Sequence, residues 1–272
     1  MQEFSTSLSE IVAGHWRNRN LIVTSVKREV LGRYRGSFLG TFWSFFNPLL
    51  MLSIYTFVFS SVLKARWGAG SGSKVEFALV LFAGLMIYSL FSDVLTRAPG
   101  LVVGNPNYVK KVVFPLEILP SIVLGSALFH LFISLVVWLL AYFVFYGLPN
   151  ITVLFFPILL VPLSMFVVGV SWILASLGVF LRDVSQVIGI AMTALMFMSP
   201  VFYPASALPD NVRFLLYLNP LTPAIEQARD VLFWGKMPDL EVVAICSVVA
   251  LFVAWFGFFC FQKTRRGFAD VL

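Results

Sequence analysis

Six apolar runs, each about as long as a bilayer is thick, constrain this chain more than any other feature. A helix needs about 20 mainly apolar residues to cross the hydrocarbon core. The runs that meet this need are Phe38–Leu63, Phe77–Leu95, Ser121–Tyr146, Val153–Leu181, Val184–Tyr203 and Leu240–Phe261. Of the 272 residues, 60% are hydrophobic and 12% are charged, whereas soluble domains are about 25% charged. The sequence therefore predicts an all-α integral membrane protein with six transmembrane helices.

The distribution of Lys and Arg predicts how these spans are oriented. If both termini are cytoplasmic, 13 of the 19 Lys and Arg residues lie on the cytoplasmic side and 6 on the outer side. The positive-inside rule favours that orientation. The weakest boundary is Arg182-Asp183, the only polar interruption between the fourth and fifth runs. It leaves open a shorter fifth span or a membrane-embedded hairpin.

Residues 1–37 predict an amphipathic segment that lies in the cytoplasmic interface ahead of the first span. Apolar residues recur at helical spacing along it, at Phe4, Leu8, Ile11, Val12 and Trp16 and again at Ile22, Val26, Val30 and Tyr34. Three basic side chains lie off this stripe, namely Arg28, Arg33 and Arg35. Together with Tyr34 they are the candidates for contact with lipid phosphates. Such a basic amphipathic helix is typical of a membrane surface. A simple solvated flank is the alternative.

The inner loop 98–120 is too apolar for a solvent-exposed loop, and it contains too many prolines and glycines for one continuous helix. Asn105 before Pro106 fits an N-cap followed by a first-turn proline. This predicts a short helix that carries Tyr108, Lys110 and Lys111 and ends before Pro115. A short basic helix projecting from a membrane domain suits docking to a cytoplasmic partner, and an interfacial linker is the alternative.

The outer segment 204–235 predicts a helical hairpin before the last span. Asp210 caps one short amphipathic helix, Thr222-Pro223 caps another, and Asn219-Pro220 separates them. Glu226, Arg229 and Asp230 are expected on its wet side. A soluble outer loop fits the periodicity equally well.

The spans contain almost no ionisable side chains, apart from Asp93 near one end of the second and His130 in the third. Ion-coupled carriers need such groups inside the membrane, so uphill transport by this chain would draw its energy from a partner. Gly68–Lys74 superficially resembles a phosphate-binding loop but fails the G-x-x-x-x-G-K-[ST] pattern. No catalytic residue or metal site is expected. The enzymatic alternative is an intramembrane hydrolase built on Ser126 and His130, which share a helix face.

Aromatic side chains crowd the first span and the end of the fifth. They are candidates for an aromatic-lined passage together with Asn47, and they include Phe42, Trp43, Phe46, Tyr55, Phe197 and Tyr203. Lipid-facing Phe and interfacial Trp and Tyr belts are the alternative. Gly36 and Gly40 permit a bend or close packing where the chain enters the bilayer. Asn47-Pro48 then interrupts the first span, and we expect it to face a translocation path or a dimer contact, because Pro48 leaves a carbonyl without its donor.

An ordered set of short motifs resembles one transporter family. The motifs are R-Y-R-G-S-x-L-G at Arg33–Gly40, W-S-x-x-N-P at Trp43–Pro48, N-P-x-Y-V-K-K-V-x-F-P at Asn105–Pro115 and S-P-V-F-Y-P at Ser199–Pro204. Together they resemble the membrane subunit of ABC-2 type polysaccharide exporters, in particular the Wzm-like O-antigen permeases. Asn47 favours this group over the capsule permeases of the same superfamily.

The resemblance implies a permease in the bacterial inner membrane that pairs with a second copy and with two copies of a cytoplasmic nucleotide-binding ATPase. The ATPase would bind ATP and Mg, and this chain would bind neither cofactors nor nucleic acid. The exported substrate would be a lipid-linked polysaccharide. By the same resemblance, Asn105–Val113 would be the coupling helix that docks on the ATPase. The hairpin 204–235 would be a periplasmic gate, with gate residues Leu215, Asn219, Pro220 and Ile225. Permeases for capsule, teichoic acid or a hydrophobic small molecule are the related alternatives.

Overall fold

A computed structural model describes residues 6–58, 67, 74–110, 114–207, 209, 216 and 219–272 of the chain. Within these residues every regular element is helical, as the sequence predicts. The α-helices, numbered in chain order, are α1 (Leu8–Arg17), α2 (Arg19–Arg33), α3 (Trp43–Tyr55), α4 (Lys74–Arg97), α5 (Gly100–Val103), α6 (Pro106–Lys110), α7 (Leu119–Tyr146), α8 (Phe156–Phe180), α9 (Val184–Met198), α10 (Leu221–Arg229), α11 (Leu240–Thr264) and α12 (Phe268–Val271).

Five helical segments of the described chain are long and apolar enough to cross a membrane. They are Gly40–Val58, Val75–Arg97, Leu116–Tyr146, Ile151–Phe180 and Leu240–Val271. The end of the first predicted run, residues 59–63, lies outside the described residues.

The predicted fifth span is shorter than the sequence suggests. It forms α9, whose 15 residues extend roughly 22 Å at 1.5 Å per residue, against a hydrocarbon core of about 30 Å. The helix ends at Met198 because Ser199 is extended, with φ −98° and ψ 153°. Pro200 follows, and proline disfavours the α conformation in the residue before it.

Helix α4 forms the centre of the bundle. Every residue from Phe77 to Tyr88 is buried, and α3, α7, α8, α9 and α10 all pack against α4. A helix that is apolar all round belongs in a protein interior. This explains why the second span carries no lipid-facing stripe.

The most extensive helix pair is α8 with α11. A side chain on Gly169 would lie 2.7 Å from the backbone of Ala254, and one on Gly257 would overlap the carbonyl of Gly169. Small residues let two helix backbones approach closely.

Helices α1 and α2 lie against α7. The predicted stripe is the packed face of α2: Val30 is buried, and Ile22 and Val26 pack against the core. Gly125 makes room for Val26, because a Cβ there would lie 2.6 Å from the Val26 Cγ2. The stripe is therefore correctly predicted, and in this chain it contacts a protein helix.

The chain turns from α2 into the first span at two glycines. Gly36 and Gly40 have φ of 85° and 52°, a region that side chains with a Cβ rarely adopt. Among the described residues, no heavy atom outside their immediate neighbours lies within 4 Å of a Cβ placed on either one. The positive φ angles agree with the predicted bend.

The inner loop contains α5 and α6. The short helix begins at Pro106, as predicted, and a 3-10 turn at Leu116–Ile118 leads into α7. The side-chain amide of Asn105 donates to the carbonyl of Leu101 at 2.9 Å. This hydrogen bond closes the turn that precedes the helix.

The outer segment is described only in part. Asp210 and Leu215, in the first predicted hairpin helix, lie outside the described residues. The second predicted helix is α10, which continues into a π-helical turn, Asp230–Trp234, and ends at Gly235 with φ 65°. Arg229 was expected on the wet side of this hairpin, and that prediction is wrong, because its side chain is only 3% exposed.

Candidate functional site

A polar cavity opens inside the bundle beside the first span. It has a volume of about 320 Å³ and lies between the end of α2 and helices α3, α4 and α7. Its polar lining comprises Arg33, Tyr34, Ser44, Asn47, Tyr55, Ser89, Asp93, His130 and Ser134. Such a concentration of polar groups is unusual within spans that are otherwise apolar.

The predicted irregularity of the first span forms one wall of this cavity. Helix α3 runs through Pro48, so Asn47-Pro48 lies inside the helix, as predicted. Pro48 has no N–H, and the carbonyl of Ser44, one turn earlier, loses its usual donor. Ser44, Asn47 and Pro48 all line the cavity. A backbone carbonyl deprived of its donor is tolerated at membrane depth where it lines protein or a water-filled cavity.

A four-member charge network joins α2 to the end of α4. Arg33 Nη2 donates to both carboxylate oxygens of Asp93, at 2.5 and 2.8 Å. One turn away on each helix, Arg97 pairs with Glu29, and Arg97 lies 4.0 Å from Asp93. Two cations and two anions thus neutralise each other, which removes most of the cost of placing charges beside apolar spans.

His130 forms the opposite wall. The Tyr34 hydroxyl lies 3.4 Å from His130 Nδ1, and the two rings meet edge to face with centroids 5.8 Å apart. His130 Nε2 and the Ser126 hydroxyl each have no hydrogen-bond partner in the described part of the chain, so they are not bonded to each other. The serine–histidine contact that a hydrolase would need is not formed there.

The predicted docking helix α6 is held in place by aromatic and basic neighbours. The ring of Tyr108 stacks on Phe114, with centroids 4.3 Å apart and planes 10° apart. Its hydroxyl accepts a hydrogen bond from Arg28 Nη2 at 3.0 Å. Lys110 is exposed on the same helix, and Lys111 lies outside the described residues. Tyr108 therefore anchors the helix to α2, and Lys110 faces outward.

The C-terminal tail supports the same loop. Glu117 and Arg265 form a largely buried ion pair with Nη1 and Oε2 2.7 Å apart. Phe268 is fully buried between Phe180 and Phe261, and α12 touches α6. The loop at Phe114–Leu119 and the end of α11 therefore form one platform with α6.

On the far side of the bundle, Arg229 ties the hairpin to the turn after α9. Its guanidinium donates to the carbonyls of Val80, Pro200 and Val201 at 3.0, 2.6 and 2.6 Å, and it stacks over Trp67 at 4.3 Å. Burial lowers the pKa of Arg229 to about 9, and the nearby Glu226 opposes that shift. The guanidinium therefore stays charged at neutral pH, satisfied by carbonyl oxygens.

The remaining predicted gate residues lie around the same turn. Asn219 Nδ2 donates to Ser199 Oγ at 2.8 Å, and the Asn219 Oδ1 accepts from the backbone N–H of Leu221 at 3.0 Å. Pro220 precedes α10, and Ile225 is fully buried. The S-P-V-F-Y-P turn is thus held from two sides, by Asn219 and by Arg229.

The structure divides the predicted passage residues among three places. Asn47 and Tyr55 line the polar cavity. Phe42, Trp43 and Phe46 form a ring cluster at the start of α3. Phe197 stacks on Phe202 at the end of α9, and its carbonyl accepts from the Tyr203 hydroxyl at 3.0 Å. Arg35 is exposed, away from the lining of the cavity.

Two sets of charged residues were missed by reasoning from the sequence. One is Glu29 with Arg97, and the other is Glu117 with Arg265. The sequence does contain a signal for the pair of Glu29 and Arg97. An acid is followed four residues later by an arginine on each of two helices, as Glu29 and Arg33 on one and as Asp93 and Arg97 on the other. Glu117 is the single acid in the otherwise apolar stretch Val112–Pro120, which also hinted at a buried partner.

Comparison with known proteins assigns the chain to a family. Residues 20–233 match the family model described as ABC-2 type transporter. The chain is 27% identical over 257 residues to the O-antigen export system permease protein RfbA of Myxococcus xanthus, across 94% of this chain and 96% of that protein. It is 27% identical over 256 residues to RfbA of Klebsiella pneumoniae, across 93% and 95%. With the polysialic acid transport protein KpsM of Escherichia coli it shares 24% over 237 residues, across 83% and 87%.

The matched residues contain α2 from its second residue onward, the polar cavity, the loop with α6 and the whole of α10. The predicted resemblance is thereby confirmed, and the family indicates a transport subunit rather than the hydrolase that was the enzymatic alternative. The chain is a membrane-embedded transport subunit that belongs to the ABC-2 type transporter family.

Proposed function

We propose that this chain is the permease half of an ATP-driven exporter that moves a lipid-linked polysaccharide of O-antigen type across the bacterial inner membrane. The observation that carries the proposal is the similarity to O-antigen export permeases over almost the full length of both chains. The scarcity of charged groups in the spans agrees with it, because the energy would come from a partner ATPase that binds ATP and Mg.

The proposed assembly contains a second copy of the chain. Helices α3 and α9 flank α4, yet each leaves most of its surface exposed: in α3 only Ser44 and Leu52 are buried, and in α9 only Met192. Two poorly covered apolar helices beside one buried helix supply a face for a symmetric partner. In this arrangement the aromatic clusters around Trp43 and Phe197 lie at the edge of a shared passage, with Asn47 and Tyr55 on its polar side.

Six spans with both termini cytoplasmic complete the proposal. Helix α9 then serves as the fifth, shortened span, and the hairpin with Asn219, Pro220 and Ile225 closes the outer end. Leu215 belongs to the same proposed gate. The basic residues Arg28, Arg33 and Arg35 lie on the inner side, where Arg35, exposed and close to the entry of the first span, is placed to meet lipid phosphates.

Coupling to the ATPase would run through α6. Lys110, with Lys111 beside it in sequence, would meet the ATPase, while Tyr108 passes the displacement to α2 through Arg28. From there the charge network of Glu29, Arg33, Asp93 and Arg97 reaches the wall of the polar cavity. The proposed route thus leads from the docking helix to the cavity that Asn47 and Pro48 also line.

Deletion of the gene tests the proposal. The expected result is loss of the long-chain lipopolysaccharide ladder from the cell surface, accumulation of polymer in the cytoplasm, and restoration of both by the native chain. Co-purification of the tagged chain should yield an ATPase in equal copy number. An unchanged surface ladder would overturn the O-antigen assignment.

Capsule export is the second candidate, because KpsM, a polysialic acid transport protein, aligns over most of the chain. The same deletion separates the two. Loss of capsule with an intact lipopolysaccharide ladder would select the capsule function.

A further inference from the structure

An apolar groove of about 560 Å³ lies between the amphipathic helix α1 and the three spans α7, α8 and α11. One face of α1 forms a wall of the groove, with residues at helical spacing: Leu8, Ile11, Val12, His15, Trp16 and Arg19. The apolar stripe of α2 packs on α7, whereas in the described part of the chain this face of α1 borders open space, with Val12 and Trp16 72% and 70% exposed. An amphipathic helix buries its apolar stripe, so an apolar occupant is expected in the groove.

The groove extends along the spans for about the depth of one bilayer leaflet. On α8 its lining runs from Trp172, whose ring lies 6.1 Å from that of His15 on α1, to Ser164. These two α8 residues are eight positions apart, about 12 Å at 1.5 Å per residue, and half of the hydrocarbon core is about 15 Å. On α11 the lining includes Leu251, which is 46% exposed. The groove is therefore open to the hydrocarbon region and has the length of an acyl chain that lies along the spans.

The polar groups where α1 meets the spans are already bonded to one another. His15 Nδ1 lies 2.7 Å from the carbonyl of Ile11, and its Nε2 lies 2.7 Å from Ser121 Oγ. A carbonyl only accepts, so Nδ1 carries the proton, and in the neutral ring Nε2 accepts from the Ser121 hydroxyl. Trp172 Nε1 donates to the carbonyl of Glu117 at 2.9 Å. These groups need no further polar partner, which suits a hydrocarbon chain.

Arg19 places a positive charge at the rim of the groove. It is exposed and lines the groove, and its Cζ lies 4.8 Å from the centroid of the Trp16 ring. One of its N–H groups donates to the carbonyl of Trp16 at 3.0 Å. Within the described residues no carboxylate pairs with Arg19, whereas Arg17, two residues earlier, pairs with Glu10 at 2.8 Å. The guanidinium has five N–H donors in an arrangement that matches phosphate, and its unpaired charge favours a head group with a net negative charge.

We infer that the groove holds one acyl chain of an anionic phospholipid whose phosphate is bound by Arg19. The head group lies beside Trp16, and the chain runs along α8 past Val168 towards Ser164 and Leu251. The lipid fills the space between α1 and the spans and so holds α1 in place. It is a lipid of the bilayer and not the exported substrate, and only its assignment to the inner leaflet rests on the proposed topology.

Lipid titration of the purified native chain tests the head group. The chain is delipidated in a neutral detergent, phosphatidylglycerol or phosphatidylcholine is added, and native mass spectrometry measures the bound lipid. Phosphatidylglycerol should bind more tightly than phosphatidylcholine, which carries no net charge. Arg19→Gln should weaken the binding of phosphatidylglycerol about tenfold to hundredfold, the contribution of a hydrogen bond to a charged group, and should bring the two lipids to similar affinities.

Arg17→Gln is the matched control for this titration. It removes the same charge from the same helix, but Arg17 is 64% exposed and is not among the residues that line the groove. Its affinity for phosphatidylglycerol should stay close to the native value. Equal losses in the two variants would overturn the inference, because both would then report the general attraction of a basic surface for anionic lipid. Equal affinities of the native chain for the two lipids would overturn it as well.

A photoactivatable phosphatidylglycerol locates the acyl chain in nanodiscs. With a diazirine at the end of the chain, labelling of the native protein should concentrate on Ser164, Met165 and Leu251. Ser164→Phe fills that end of the groove and should reduce the labelling there. Val161→Phe should not, because Val161 is 57% exposed on the same helix and outside the groove lining. Equal labelling of groove residues and of lipid-facing residues such as Val161 and Ile158 in the native chain would overturn the inference, since it would report the bulk bilayer.

Discussion

Gly84 of α4 and Arg229 of α10 share one space: a Cβ on Gly84 would lie 2.6 Å from the Nη2 of Arg229. A glycine inside a long helix costs backbone entropy, and here the vacant position admits a buried guanidinium. That guanidinium in turn bonds to three carbonyls on two other segments. The hairpin, the second span and the turn after α9 are therefore one mechanical unit.

Gly84→Ala should destabilise the protein by about 1–3 kcal/mol, the cost of overpacking a closely packed site. The expected observation is a lower melting temperature by fluorescence-detected size exclusion. Gly189→Ala is the control, because in the described chain no heavy atom lies within 4 Å of a Cβ at that position in α9. Equal melting temperatures for the two variants would show that Arg229 moves aside at little cost.

Exchange of the charges of Arg33 and Asp93 tests the network beside the cavity. Arg33→Asp and Asp93→Arg alone each place two like charges in contact on the two helices, and transport and melting temperature should both fall. The double variant restores an opposite pair and should recover a large part of each. Lys27→Asp is the control, since Lys27 is exposed on the same helix and belongs neither to the network nor to the proposed contacts with lipid. If transport and melting temperature are no higher in the double variant than in the single variants, the pair is not part of the coupling route.

The sequence was sufficient for the elements that depend on periodicity and proline chemistry. The α2 stripe, the start of α6 at Pro106 and the continuation of α3 through Pro48 are all as predicted. Each follows from a local rule, and each local rule agrees with the packing that the structure adopts.

Local rules failed where long-range pairing decides the outcome. Arg229 is a charged residue on an amphipathic helix, so periodicity predicts an exposed side chain. In the structure its guanidinium is buried and donates to the carbonyls of three residues that lie 28 to 149 positions away in the sequence. The polar cavity likewise depends on four segments meeting, and no single segment indicates that Asn47 and His130 share a space. Such contacts depend on the arrangement of helices, which periodicity leaves open.

The anchoring of α6 by Tyr108 separates into two testable parts. Tyr108→Phe keeps the stack on Phe114 and loses only the hydrogen bond from Arg28, so transport should fall about tenfold or less. Tyr108→Ala loses both contacts, and combined with Lys110→Glu it should uncouple ATP hydrolysis from transport. The measurements are surface polysaccharide and the ATPase activity of the purified complex. Unchanged assembly and transport in the combined variant would remove α6 from the docking site.

The ion pair of Glu117 and Arg265 gives the sharpest test of the platform formed by the loop and the tail. Both side chains are at most 15% exposed, so removal of one partner leaves a buried charge, and Arg265→Met alone should destabilise the protein by about 3–5 kcal/mol. Replacement of both partners, with Glu117→Leu and Arg265→Met, should restore much of the melting temperature, because a buried pair is often exchangeable for apolar side chains.

The exposed pair of Arg17 and Glu10 provides the matched control for this prediction, with Arg17 64% exposed. Glu10→Gln should change the melting temperature little, because exposed pairs contribute about 0–1 kcal/mol. If the platform supports α6, the Arg265→Met variant should also retain less ATPase on co-purification than the double variant does. If the two variants retain equal amounts of ATPase, the C-terminal tail has no role in docking. The ion pair would then stabilise the fold without positioning α6.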